Sequence, residues 1–214
     1  MELTVVSEPI DFWFDFSCPY AYVASTRLQW LAEETGRKVH LQPFLLGGVF
    51  RALQQPQNMS TTLNAPKARH NRLDLMRWAA WYQVPLQTPL RHPNRSVEAL
   101  RALLCCPVER QTEVMAAFYR LYWAEGGDIA NRSQLAGSLD QLGLDGSSLL
   151  EQVDRPEIKD ALFRQTNTAV ELGIFGAPTF VVDGALFWGQ DRLEMVAAAA
   201  KGWQPPHEET SFNF

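Results

Sequence analysis

Residues 11–20 read Asp11-Phe12-Trp13-Phe14-Asp15-Phe16-Ser17-Cys18-Pro19-Tyr20, an aromatic run that stops at a cysteine followed by proline. A nearly continuous apolar stretch of this length is what a strand covered on both faces requires. Proline suits the first turn of a helix, where its missing N–H costs nothing. The pair therefore predicts a strand-to-helix transition with Cys18 at the helix N-terminus. Unpaired N–H groups and the helix dipole would there lower a thiol pKa and leave the sulfur open to solvent or ligand. The same residue could also be a small buried cysteine closing a strand.

The rest of the chain divides into three parts. Asp11–Phe16 is followed by a helix expected over Pro19–Thr35, stopped by Gly36, and by a second, parallel strand around Val39–Leu41 ending at Pro43, a βαβ unit. After Leu46-Gly47-Gly48 the character changes. Gln54–Pro66 is a polar, irregular loop of the kind that often carries function. Helical stripes follow: Leu73, Met76 and Ala80, then Val97, Leu100 and Leu104, then Val114, Phe118, Leu121 and Tyr122, all expected to face the core. Asn131 with Gln134 resembles a capping box, and a short helix is expected near Ser147–Val153. A helix over Pro156–Leu172 leads to Thr179–Val182 and Ala185–Trp188, joined by Asp183-Gly184, a hairpin signal of the primed-turn kind. A final helix is expected over Asp191–Lys201.

Composition narrows the function classes. Net charge is −5, which gives no electrostatic support for a nucleic-acid partner or an anionic membrane surface. No apolar run is long enough for a transmembrane helix, and Met1–Ile10 lacks the pattern of a secretory signal. Three cysteines, two of them adjacent at Cys105 and Cys106, do not make a disulfide framework and suggest a reducing cytoplasm. Cys105-Cys106 closes an apolar stripe and reads as structural. The four histidines show no metal-ligand spacing, so no metal is expected.

The order βαβ, helical insertion, αββα resembles the thioredoxin-like superfamily. Quoted in full, the motifs narrow this further. Phe14-Asp15-Phe16-Ser17-Cys18-Pro19-Tyr20-Ala21-Tyr22, the segments Lys67–His70 and Arg72–Leu75, His92-Pro93 with Arg95-Ser96, Gly173–Phe180 and Phe187–Arg192 together resemble the kappa-class glutathione transferases and the 2-hydroxychromene-2-carboxylate isomerases. The resemblance implies an α/β, thioredoxin-like fold with an all-helical insertion. The thioredoxin-like domain would comprise residues 8–46 and 155–203, the insertion 47–154, and a flexible tail 204–214. It also implies a homodimer using glutathione and a small aromatic carboxylate, in the cytoplasm that the cysteine usage suggests.

Carried over by position, Cys18 is the residue that contacts the glutathione sulfur, flanked by Pro19 and Tyr20. Pro178 is expected to be cis, offering the backbone of Ala177 to the cysteinyl part of glutathione like an added strand. Gln190 and Asp191 match the positions that hold the γ-glutamyl end, and Asn58 and Lys67 match a polar pair over the site. Asp191 could equally cap the final helix, and Trp188 reads as core or pocket wall. The family usually carries serine at position 18. Related disulfide oxidoreductases carry cysteine there, with a second cysteine three residues on, where this chain has Ala21. Two activities stay open: glutathione-dependent cis–trans isomerisation by thiol addition and elimination, and a DsbA-like monothiol exchange through Cys18. A glutathione-binding protein without turnover is a third reading.

Overall fold

The computed structural model describes residues 8–204. The tail expected at 204–214 lies outside them except for Gln204, as does most of the N-terminal segment Met1–Ile10. Four strands form one sheet in the order β2-β1-β3-β4: β1 (Ile10–Phe14), β2 (Val39–Pro43), β3 (Thr179–Val182) and β4 (Ala185–Trp188). β2 runs parallel to β1, with Phe12 opposite Leu41, as the βαβ reading required. β3 is antiparallel to β1, with Phe12 opposite Phe180, and pairs in turn with β4. β1 is thus a central strand covered on both faces, which explains its uninterrupted apolar sequence. Asp183 and Gly184 both have positive φ (48° and 85°), the primed-turn geometry that their sequence announced. Arg37 donates to both carboxylate oxygens of Asp183 and ties this hairpin to the start of β2.

The helix expected over Pro19–Thr35 is two helices, α1 (Pro19–Ser25) and α2 (Leu28–Thr35). Ser25 and Thr26 turn their hydroxyls back onto the carbonyls of Tyr22 and Val23 (2.7 and 2.8 Å), and such local bonds compete with helix continuation. Arg27 then lies across the rings of Trp30 and Tyr82. Gly36 ends α2 in the left-handed region, as expected.

Helices α3 (Leu46–Ala52), α4 (Ala65–Trp81), α5 (Val97–Cys105), α6 (Gln111–Tyr119), α7 (Arg132–Gln141), α8 (Gly146–Gln152) and α9 (Pro156–Glu171) stand between β2 and β3, and α10 (Leu193–Ala200) closes the chain. α3 escaped the sequence reading because Gly47-Gly48 looks like a break. A Cβ on Gly48 would lie 2.8 Å from Thr166 Cγ2, so the glycine lets α3 approach α9. Packing here overrides propensity. The Leu73, Met76 and Ala80 stripe was expected in the core, but Leu73 and Met76 are 39% and 58% exposed. The face of α4 turned inward is Asn71, Asp74, Leu75, Trp78 and Ala79. The apolar count of that face is no higher than that of the outer one, so periodicity could not choose between them.

Asn131 caps α7 by accepting from the N–H groups of Ser133 and Gln134, while the Gln134 side chain accepts from Asp128 N–H. Only half of the expected capping box is therefore reciprocal. A π-helical turn, Arg120–Ala124, extends α6 and is marked by the Glu125 N–H to Arg120 C=O bond. Phe14, Phe16, Phe118, Tyr119 and Tyr22 form a continuous aromatic seam between sheet and helices, with ring centroids 4.9 to 6.0 Å apart. Each such pair contributes about 1 kcal/mol beyond area burial.

Two glycines on adjoining helices carry opposite expectations. A Cβ on Gly146 would meet Ala136 O at 2.3 Å, whereas one on Gly137 would meet nothing within 4 Å. Gly146→Ala should lower unfolding free energy by about 2 kcal/mol through overpacking. Gly137→Ala should raise it by about 0.5–1 kcal/mol through helix propensity. Urea denaturation monitored by circular dichroism checks both signs.

Candidate active site

Three segments converge at the end of β1. Cys18 occupies the N-cap position of α1 with Pro19 in the first turn, as the Cys-Pro step predicted. The Ala177–Pro178 bond is cis, also as expected, and the Cys18 thiol donates to the Ala177 carbonyl at 3.0 Å. Gly189 N–H donates to the Pro178 carbonyl (3.0 Å), which brings the turn Gln190–Arg192 against the same loop.

The state of the sulfur corrects the sequence expectation. Cys18 is only 7% exposed, and its pKa is pushed up from 9.0 to about 12. Burial is the dominant cause. The N–H groups of Ala21 and Tyr20 act in the lowering direction, as a helix start should, but they do not outweigh desolvation, and the charge of Asp15 adds to the rise. α1 is also only seven residues long, too short for a strong dipole. The thiol is a neutral hydrogen-bond donor, not a pre-formed thiolate.

Sequence reasoning passed over Asp15. Its carboxylate is 1% exposed and accepts from Ser17 N–H and Oγ–H (both 2.8 Å) through Oδ1, and from Leu46 N–H (2.8 Å) through Oδ2, with the Ser96 hydroxyl as a further donor. Burial nevertheless raises its pKa, the hydrogen bonds opposing that rise. The Asp15 carbonyl accepts from Cys18 N–H (3.0 Å) and from the Tyr119 hydroxyl (3.2 Å). The Phe16 carbonyl accepts from the Trp123 indole (2.8 Å). The signal was present in the sequence as the one charged residue inside an aromatic run.

The remaining residues are placed as follows. Tyr20 is half-buried, donates to the Asn71 carbonyl (3.3 Å), and has its pKa raised to about 12 by burial and by Asp74, Cys18 and Asp191. α1 and α4 therefore meet at the site, with Asp191 within electrostatic reach. Gln190 is buried; the exposed Asp191 carboxylate pairs with Arg192 (2.8 Å). Gly189 has φ 121°, and a Cβ there would lie 2.5 Å from Asp191 Oδ1, so glycine is what lets that carboxylate fold back. Lys67 is exposed in the first turn of α4, one turn before Asn71 on the same face. Asn58 is half-buried on the preceding loop, its carbonyl accepting from Thr61. The Tyr20 bond to Asn71 joins α1 to α4, the helix that carries Lys67. Trp188 is half-exposed, lies against Gly176 and meets Phe175 ring to ring at 5.0 Å, a wall and not core. Cys106 is buried and donates to the Ala102 carbonyl (3.1 Å), and Cys105 is half-buried beside it. Among the described residues no His, Cys, Asp or Glu cluster has the make-up of a metal site, and no helix is long and apolar enough to cross a membrane.

Comparison with known proteins agrees with this fold. Residues 9–201 match the model of the DSBA-like thioredoxin domain. A 2-hydroxychromene-2-carboxylate isomerase of Sphingobium xenophagum is 31% identical, the match covering 89% of this chain and 97% of that one. A glutathione S-transferase kappa 2 of Caenorhabditis elegans is 26% identical over 88% of this chain and 89% of its own. A solved 2-hydroxychromene-2-carboxylate isomerase superposes with a TM-score of 0.81 at 28% identity, covering 90% of this chain and 94% of that chain.

The buried thiol has a measurable signature. The alkylation rate of Cys18, followed on its peptide by mass spectrometry, should climb about tenfold per pH unit from about pH 7 to about pH 10 with no plateau. The urea-unfolded chain should level off near its ordinary value. A folded-state plateau below about pH 8 would contradict the protonated thiol.

Proposed function

The chain belongs to the DSBA-like thioredoxin domain family, and on that premise we propose that it is a glutathione-dependent isomerase acting on 2-hydroxychromene-2-carboxylate or a similar aromatic carboxylate. The observation that carries this reading is the Cys18 thiol, held neutral and donating toward the cis-proline loop. In the family that this chain resembles, the serine usual at this position donates its hydroxyl hydrogen bond to the glutathione thiolate, and a protonated thiol can donate in its place. The isomerase relatives supply the reaction class, and the kappa-class relatives supply the tripeptide.

The residues present suit glutathione. The backbone of Ala177 faces Cys18 and can take the cysteinyl amides in strand fashion. Asp191 presents an exposed carboxylate to accept from the γ-glutamyl ammonium, with Gln190 beside it. Pro19 and Tyr20 form the wall at the start of α1. When bound, glutathione supplies a thiol able to add to and leave a conjugated double bond. With glutathione bound, Cys18 keeps its own proton and turns its single S–H from the Ala177 carbonyl to the glutathione sulfur, which favours negative charge there. Lys67 offsets substrate carboxylate charge, and Asn58 donates to the oxygen that gains charge.

Monothiol exchange is disfavoured by the same observation. A thiol with a pKa near 12 is a poor attacking group at neutral pH, and Ala21 stands where a resolving cysteine would be. A cytoplasmic homodimer completes the proposal. The free cysteines suit a reducing compartment, and a second copy could cover the apolar side chains left exposed on α4, Leu73, Met76 and Trp81.

Cys18→Ser should keep turnover of 2-hydroxychromene-2-carboxylate in the presence of glutathione within about threefold of the parent, since a hydroxyl is also a donor. Cys18→Ala should lower kcat/KM about a hundredfold, the usual effect of losing one such donor. Equal loss in both variants, or a glutathione adduct on Cys18 after incubation with oxidised glutathione at neutral pH, would favour exchange instead.

A further inference from the structure

Two donors from one helix hold the backbone immediately before Cys18. Tyr119, the last residue of α6, donates to the Asp15 carbonyl at 3.2 Å, and Trp123, in the π-helical turn, donates to the Phe16 carbonyl at 2.8 Å. These are successive carbonyls of the turn that ends β1. The first also accepts from Cys18 N–H (3.0 Å), so the Tyr119 hydroxyl and the Cys18 amide share one oxygen. Both aromatic side chains are fully buried. The wider π turn begins at Arg120, between the two donors, and such turns are frequent at functional sites. Tyr122, in the same turn, makes contacts elsewhere: its hydroxyl accepts from Asn94 N–H (3.2 Å) and stands 3.1 Å from His92 Nδ1.

We infer that Tyr119 and Trp123 are positioning residues that fix the Asp15 and Phe16 carbonyls and thereby hold the Cys18 thiol against the Ala177 carbonyl. The inference rests on the reading of Cys18 as the sulfur-facing residue of the proposed site, but its readout does not depend on turnover. The turn is anchored on its side-chain side by Asp15, which takes Ser17 and Leu46, and on its carbonyl side by the two aromatic donors. Releasing the carbonyl side leaves the turn free to shift. The sulfur then gains access to water, and its proton becomes easier to remove. The ionisable groups acting on the thiol are Asp15, Tyr20 and Tyr119, and phenylalanine at 119 introduces no charge.

The test compares Tyr119→Phe, Trp123→Phe and Tyr122→Phe in the full chain. Cys18 alkylation by iodoacetamide at about pH 8 is followed on its own peptide, which keeps Cys105 and Cys106 apart. Tyr119→Phe and Trp123→Phe should alkylate about ten times faster than the parent, the change in thiolate fraction from a drop of about one pKa unit. Tyr122→Phe loses hydrogen bonds at equal burial and should alkylate at the parent rate. No acceleration in Tyr119→Phe, or equal acceleration in all three, overturns the inference. So does acceleration in Trp123→Phe alone, which is what a cavity in the core would give. Should Trp123→Phe fail to fold, Tyr119→Phe against Tyr122→Phe decides. Isomerase turnover of the parent, measured in parallel, separates the two failures: an inactive parent whose Tyr119→Phe thiol is unmasked keeps the positioning role and removes the proposed function.

Discussion

The Asp15 carboxylate accepts hydrogen bonds from Ser17, Leu46 and Ser96 in a place that water does not reach. Three elements depend on it. It turns the chain at the end of β1, receives the first N–H of α3, and meets the N-cap residue of α5. Each bond to a charged acceptor is worth about 1.5–3 kcal/mol, yet burying the charge costs several kcal/mol. The raised pKa says that burial wins. A raised folded-state pKa gives stability that is complete below the unfolded value and is lost as pH rises through the folded one. At neutral pH Asp15 therefore costs stability while fixing where the sulfur-bearing turn can be. Specificity of position is its contribution.

The sequence carried what is local. The cysteine at a helix start, the left-handed Gly36 and the Asp183-Gly184 hairpin are all written in two or three adjacent residues, whereas the cis bond before Pro178 was expected only from the family resemblance. Their conformations follow from the steric limits of glycine and proline. What could not be read depends on neighbours distant in sequence. α3 forms across two glycines because Thr166 waits on α9. The helix after Cys18 breaks at Thr26 because hydroxyls return to their own carbonyls and Arg27 finds two rings. The second cis bond, before Pro93, lies in a segment without a recognisable turn pattern.

The site shows the same division. Positions 18, 177, 178, 190 and 191 gather at one end of the sheet because the strands and turns that carry them were local features. The acidity of the sulfur was misjudged, because a helix start is visible in sequence and the depth of a pocket is not. The expected dipole effect is present in the right direction and is too small. Asp15, Tyr119 and Trp123, which build the surroundings of the sulfur, resemble ordinary core residues in a sequence because most of what they do is pack.

Cys18 and the Ala177 carbonyl that accepts its hydrogen bond are separated by 159 positions, and β3, which pairs with β1, is synthesised after all of the helices between them. A nascent chain leaving the ribosome thus carries its sulfur unguarded, with the acidity of any cysteine in water, for most of its synthesis. The masking described above requires that residues 177–182 have joined the sheet. Oxidative or electrophilic damage at this position should accordingly fall on newborn chains, and the finished enzyme should be the resistant form.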